Sequence, residues 1–261
     1  MGIRQDVLLA AFLLSDGGIA ARGKKSWTIY FRNKDKSVID EFQRVLKESC
    51  GKIGYVTKRT DGSLFIRLHS KEFAESLFKL SKSYRTKACN NFPQCRHLKG
   101  KRSSCTIYGT EIINGIKYPK AEIPKQIFKN KQLANEFLRI YASCDGGISV
   151  VPTKNIRGSP FLVRKIFISV KHPKLSEQLT NLLFSLGFSP SRYKDQIRLT
   201  KKEDIRKFRD EIAFIKGAKI SKDSKFLYGY QKNQILDKTI NSYGNPQELL
   251  DFLLKIRSSA G

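Results

Sequence analysis

The stretch Leu8-Leu9-Ala10-Ala11-Phe12-Leu13-Leu14-Ser15-Asp16-Gly17-Gly18-Ile19 returns 129 positions later as Phe137-Leu138-Arg139-Ile140-Tyr141-Ala142-Ser143-Cys144-Asp145-Gly146-Gly147-Ile148. Each copy is an apolar run of helical character that ends in small residues, an aspartate and a pair of glycines. One such ending is a commonplace Asp-Gly turn. Two of them, each closing an apolar helix, mark an internal duplication, and the whole chain has to be read as two copies of one unit.

The signals that follow each copy have the same order. In the first half Ser26–Arg32 alternates, with Trp27, Ile29 and Phe31 on one face and Thr28, Tyr30 and Arg32 on the other, the pattern of a half-buried strand. Asp35 opens a helix over Lys36–Ser49 with Gly51 as its stop. Strands are expected at Ile53–Lys58 and Ser63–His69, joined through Asp61-Gly62, and a helix at Lys71–Leu80 closes the unit. The second half offers a strand near Val163–Lys171, a helix near Lys174–Leu186 stopped by Gly187, a hairpin through Lys194-Asp195 and a helix near Lys201–Ile212. Its first hairpin should have the longer loop, Val151–Phe161. Ser83–Glu111 reads as a polar insertion, Lys120–Lys131 as the lead into the second motif helix, and Phe226–Ile240 and Gln247–Ile256 as C-terminal helices, the last opened by Asn245 and Pro246. The fold class is α+β: two αββαββα units with antiparallel sheets, at 1–82 and 131–261, with an insertion and connection at 83–130.

With 40% hydrophobic residues the 261-residue chain can bury a core. Its net charge of +27 far exceeds what solubility needs and points to a polyanionic partner, nucleic acid first. No apolar run approaches the ~18 residues of a membrane span, and Val7–Leu14 is too short for a signal peptide, so a cytoplasmic protein with no membrane partner is expected. The five cysteines form no secreted disulfide framework. Cys89, Cys95, His97 and Cys105 share one polar segment but contain no Cys-x2-Cys pair, which argues against zinc there.

The paired motifs resemble those of the LAGLIDADG homing endonucleases, most closely the single-chain, two-repeat members encoded within introns, including archaeal ones. The resemblance implies a monomeric pseudo-dimer whose two motif helices pack at the interface and whose sheets form a saddle over DNA. It also implies hydrolysis of phosphodiester bonds to leave a staggered double-strand break in a long asymmetric site, with Mg²⁺ or another divalent cation held by Asp16 and Asp145. The residues suit this independently. Helices lying side by side need small residues at the contact, here Ala10, Ala11, Ser15, Ala142, Ser143 and Cys144, and two carboxylates beside scissile phosphates make a metal clamp. Gly17-Gly18 and Gly146-Gly147 are expected to leave the helix in a conformation closed to other residues. The sequence also departs from the family pattern. The small residue four places into the motif is Ala11 in one copy and Ile140 in the other, and the motif's earlier acid is Leu14 and Ser143 here.

By the same resemblance, accessory catalytic lysines are sought at Lys34 and Lys171 after the first hairpins and at Lys120 and Lys216 after the last helices. DNA contacts are expected from Thr28, Tyr30, Arg32, Asn33, Lys58 and Arg67, with Arg22, Lys24, Lys25 and Arg59 on loops. In the second half they are expected from Lys165, Arg192, Lys194, Gln196 and Arg198, with Lys154 and Arg157 on the longer loop. Three alternatives stay open. An intron RNA-splicing maturase of the same fold would take intron RNA as partner. A DNA-binding relative without cleavage usually lacks one acid, and a basic RNA-binding structural protein leaves the repeated Asp-Gly-Gly helices unexplained.

Overall fold

The computed structural model describes residues 3–22, 26–89, 107–154, 160–221 and 227–258. Each half begins with its motif helix, α1 (Ile3–Ser15) or α4 (Lys131–Asp145), and continues into a four-stranded antiparallel sheet. In the first half, strands β1 (Gly17–Arg22), β2 (Ser26–Asn33), β3 (Tyr55–Lys58) and β4 (Leu64–His69) lie in the order β1-β2-β4-β3. Helix α2 (Lys36–Cys50) lies between β2 and β3, and α3 (Lys71–Phe78) follows β4. In the second half β7 (Gly146–Lys154), β8 (Pro160–Ser169), β9 (Ser191–Tyr193) and β10 (Gln196–Leu199) repeat that order, with α5 (Pro173–Ser185) and α6 (Lys202–Glu211) in the same places. Helices α7 (Lys232–Asn241) and α8 (Pro246–Ser258) complete the chain. None of the described helices is long and apolar enough to cross a membrane.

Local chemistry sets the boundaries. Asp35 caps α2 by accepting from the Ser37 amide, and Gly51 ends it in the left-handed region at φ 73°. Asn130 caps α4 by accepting from the Leu133 amide at 2.9 Å. The first hairpin of the second half differs from expectation: Val151–Lys154 is not loop but strand, paired as far as Lys154 with Pro160, so the extra residues lengthen the ribbon. The connecting segment also holds an unexpected hairpin, β5 (Thr110–Ile113) and β6 (Ile116–Pro119). It docks on α5: the buried His172 ring donates from Nε2 to the Pro119 carbonyl at 2.8 Å, and Lys174 lies 3.7 Å from Glu111 and 3.5 Å from Glu122. Residue 226 lies outside the described residues, and α7 starts at Lys232, after a β-bridge between Lys219 and Gln231.

The two motif helices pack directly against each other. Near their starts Arg4 pairs with Glu136, and at their ends Ser15 is hydrogen-bonded to Cys144, so they run in the same direction and finish side by side. Val7 through Leu14 are buried all round, as befits a helix between two halves. Phe12 lies edge-on to Phe31 at 5.3 Å, and Phe31 stacks on Phe42 at 4.5 Å, which ties α1 to β2 and α2.

The glycines after each aspartate are required for a different reason than the sequence suggests. Gly146 has φ −128° and ψ −179°, extended backbone open to any residue, and neither Gly17, Gly18 nor Gly147 has positive φ. The constraint is proximity. A Cβ on Gly146 would sit 2.6 Å from the Phe167 carbonyl oxygen and 2.8 Å from that of Ala142, whereas one on Gly147 would meet only the Phe167 ring at 3.1 Å. Gly17 is similarly crowded, 2.9 Å from Leu13 Cα and the Tyr30 carbonyl. Rigid backbone cannot yield as a ring can, so Gly146→Ala should cost about 1–3 kcal/mol, the range for overpacked sites, and Gly147→Ala distinctly less. Urea unfolding of the two variants measures the difference, and equal losses would contradict it.

Candidate active site and nucleic-acid interface

Where the motif helices end together, Asp16 and Asp145 come together as well. Burial, foremost, raises the pKa of both carboxyls, and the Asp16 charge raises that of Asp145 further. The two are unequal. Asp16 accepts a 2.7 Å hydrogen bond from Asn33 Nδ2, which favours its ionised form, and Asn33 is held in turn because its Oδ1 accepts from the Asp35 amide at 2.8 Å. In the strand register Gly17 faces Phe31 while Gly146 faces Ile168, so the counterpart of Asn33 is the buried Val170. Asp145 therefore has no amide in the matching place, and burial with the Asp16 charge pushes it up to about 8.

Reading the sequence missed the cation beside this pair. Lys232, at the start of α7, is only 6% exposed. Its Nζ donates to the carbonyls of Ser143 and Gly146, both at 2.7 Å, and so caps the negative end of α4. Burial lowers its pKa, while Cys144, Asp35, Asp16 and Asp145 all favour its charge. The cationic influences on Asp145 are Lys232 and Lys87, the latter beyond α3 in the other half. A lysine opening an amphipathic helix reads as solvated surface, and only the packing of α7 against β7, which brings Lys232 to the end of α4, makes it central. Lys34, Lys171, Lys120 and Lys216 are all exposed, and none is hydrogen-bonded to either aspartate. The loop that carries Lys216 does reach the centre through its neighbour, because the Ile215 amide donates to Ser143 Oγ at 2.8 Å. Ser143 thus serves this loop as well as the motif helix.

Register separates the two faces of each sheet. In the first half Tyr30 lies opposite Arg67, which lies opposite Tyr55, and Arg32 lies opposite Phe65 and then Thr57. These side chains, with Thr28 and His69, share the face turned away from the Trp27, Ile29, Phe31, Ile66 and Leu68 core. Lys58 was expected here. It pairs with Leu64, in step with Ile66, and so belongs to the opposite parity; Asn33 shares that parity and reaches Asp16. The cations on the open face are braced. Arg32 pairs with Asp61 and donates to Ser63 Oγ at 2.7 Å, Arg59 lies 4.5 Å over the Phe65 ring, and Arg67 lies 5.8 Å from Tyr55.

In the second half Lys165, Gln196 and Arg198 occupy the open face with Ser149, Phe167 and Tyr193. Arg198 donates to Gln196 Oε1 at 3.0 Å and lies 4.0 Å over the Tyr193 ring. Arg192 pairs with the core residue Ile197, so the expectation of an open-face position is corrected. Lys154 ends the ribbon in step with Pro152, and Lys194 sits in the β9–β10 turn at φ 50°. The side chain of Arg22, all of Lys24, Lys25 and Arg157, and Cys95, His97 and Cys105 lie outside the described residues. Cys89 is buried, and no cluster of three metal-ligating side chains occurs among the described residues.

No family model matches the chain, and no curated protein sequence does. Solved structures do. The LAGLIDADG meganuclease I-AabMI bound to uncleaved DNA superposes with a TM-score of 0.58 at 14% identity, over 98% of this chain and 99% of that one. The LAGLIDADG homing endonuclease I-SmaMI bound to cleaved DNA gives 0.56 at 15% identity, over 98% and 95%. I-SmaMI bound to its uncleaved target in the presence of calcium ions gives 0.56 at 15%, over 98% and 97%. Across nearly its whole length, with its antiparallel sheets and paired motif helices, the chain has the fold of the LAGLIDADG homing endonucleases.

Proposed function

We propose that this chain is a monomeric, site-specific homing endonuclease that makes a staggered double-strand break in a long, asymmetric DNA duplex, with Mg²⁺ as its cofactor. The observation that carries the reading is the meeting of Asp16 and Asp145 at the centre, between two sheets whose open faces present Arg32, Arg67, Lys165 and Arg198. The net charge of +27 supplies the phosphate affinity. That solved proteins of this fold are bound to DNA supports the same substrate here.

The donor set fits a hard divalent cation: two carboxylate groups whose pKa values are raised first by burial and, at Asp145, also by the Asp16 charge, with phosphate oxygens and water left to complete an oxygen shell. The chemistry a bound Mg²⁺ supplies in such a place is polarisation of the scissile phosphate and activation of water. The protein's own residues set the geometry. Asn33 orients the Asp16 carboxylate, Lys232 fixes the end of the helix that carries Asp145, and Gly17 and Gly146 allow the sheets to close on the helix ends.

Asp16→Asn and Asp145→Asn should each reduce cleavage at least ~10²-fold, since even partners one shell beyond a metal cost 10–100-fold. Retention of a duplex selected from randomised DNA should change little, as gel shift without divalent metal would show. Cleavage at the wild-type rate by the double variant would refute the site.

Stability gives a second, activity-free readout. A carboxyl whose pKa is raised on folding binds its proton more tightly in the native state, so metal-free stability should fall as pH rises from the ordinary carboxylate range towards about 8. Asp145→Asn removes that charge. It should raise the metal-free Tm at pH 8 by roughly 2–4 °C per kcal/mol of repulsion relieved, while Mg²⁺ stabilises the wild type and not the double variant. Thermal scans at pH 5 and 8 with and without Mg²⁺ test both signs.

A further inference from the structure

The ribbon β7–β8 is longer than its counterpart β1–β2, and it runs beyond the sheet: β10 pairs with β8 from Ser169 to Ile166, so among the described residues Phe161–Lys165 has β7 as its one strand partner. This projecting part is apolar on both faces. One face, with Val150 and Leu162 buried at 7% and 6%, is covered by α7 and α8, and Arg164 on that face donates from Nε to Ser242 Oγ at 2.8 Å. The other face carries Val151 opposite Val163, and Thr153 opposite Phe161. Val151, Phe161 and Val163 are 47%, 44% and 41% exposed.

An apolar patch of this kind on a chain of +27 demands an occupant, and its position selects one. It lies on the same face of the ribbon as Ser149 and Lys165 and is continuous with Gln196 and Arg198, the face that runs back to Asp145. The major groove of B-DNA admits a two-stranded β-ribbon, and the apolar group displayed on its base edges is the C5-methyl of thymine. Resting on the endonuclease reading above, we propose that Val151, Phe161 and Val163 are specificity determinants that recognise thymine methyl groups in the outer part of one half-site. At about 3.3 Å per residue along the strand, matched against the 3.4 Å spacing of DNA, Val151 to Thr153 reach roughly six to eight base pairs from the centre. In the register that matches Gly146 with Gly17 and Ile168 with Phe31, the residues in the places of Val151, Phe161 and Val163 are Arg22, Lys24 and Ser26, all polar in the sequence, so thymine preference should be confined to one side.

The test is selection of bound duplexes from a randomised library by the full chain without divalent metal, followed by replacement of each selected thymine with deoxyuridine, which removes only the methyl. Thymine enriched at outer positions of one half-site, with uracil there weakening binding about fourfold per methyl, supports the proposal; that factor is the worth of one buried methyl-sized group. The triple variant Val151→Ser, Phe161→Ser and Val163→Ser, which removes every methyl and the ring from the patch, should abolish the distinction between thymine and uracil while leaving the other half-site's preferences unchanged. Selection of a defined duplex with no outer thymine, or equal binding of thymine and uracil, overturns this proposal and leaves the endonuclease reading standing. Failure to select any defined duplex overturns both. A Val151→Ser/Phe161→Ser/Val163→Ser variant that dissociates an oligomer in sedimentation without altering base preference would assign the patch to a second copy instead, and would equally overturn the proposal.

Discussion

Everything at the centre of this protein follows from placing two helices side by side so that both end at the same point. The helices are held together along their lengths by apolar packing and at their ends by Arg4 with Glu136 and Ser15 with Cys144. This brings Asp16 and Asp145 into mutual repulsion, a cost that apolar burial elsewhere offsets. The same placement forces β1 and β7 to leave the helix ends under crowded backbone, where a methyl group on Gly17 or Gly146 has no room. It also leaves the last carbonyls of α4 to be satisfied from elsewhere, and Lys232 donates to that of Ser143 and to that of the capping Gly146.

Much of this was legible in the sequence, because duplication is a signal independent of any one residue's environment. The recurring Asp-Gly-Gly helices, the alternation of Trp27, Ile29 and Phe31, and the stops at Gly51 and Gly187 depend on local chemistry, and most boundaries fall within a few residues of those expected, the exceptions being α7, which starts at Lys232, and β7, which extends to Lys154. Features decided by register or tertiary contact were not legible. Lys58 and Arg192 look outward in an alternating reading, but pairing with Leu64 and Ile197 puts them on the other parity, since a slip of one residue reverses a face. The hairpin β5–β6 is written in the sequence by Asn114-Gly115, both at positive φ, between Ile112-Ile113 and Ile116, a signal that the polar stretch before it obscures. Lys232 was hidden because burial of a lysine is a property of its neighbours.

The two halves share a topology and not a chemistry. Asn33 beside Asp16 is matched by Val170 beside Asp145, so one carboxylate is oriented and favoured as an anion while the other is held in apolar surroundings. Lys232 has its own bias, since both of its carbonyl acceptors lie at the end of α4 and none at the end of α1. Both open faces carry a braced arginine, Arg67 beside Tyr55 and Arg198 over Tyr193, and the second ribbon adds exposed valines and a phenylalanine.

Such divergence is what a fused duplication permits. Two identical chains related by a twofold axis must present the same surface twice, so any residue gained for one half of a target is imposed on the other. Once both copies lie in one chain, Val170 can replace an amide and β7–β8 can lengthen without consequence for β1–β2. The shared helix interface is the exception. Ala11 and Ile140 are both buried in the core that the two motif helices share, and those helices carry both aspartates. Constraint is therefore concentrated along α1 and α4, and freedom increases outward along the ribbons, which is where the two halves differ most.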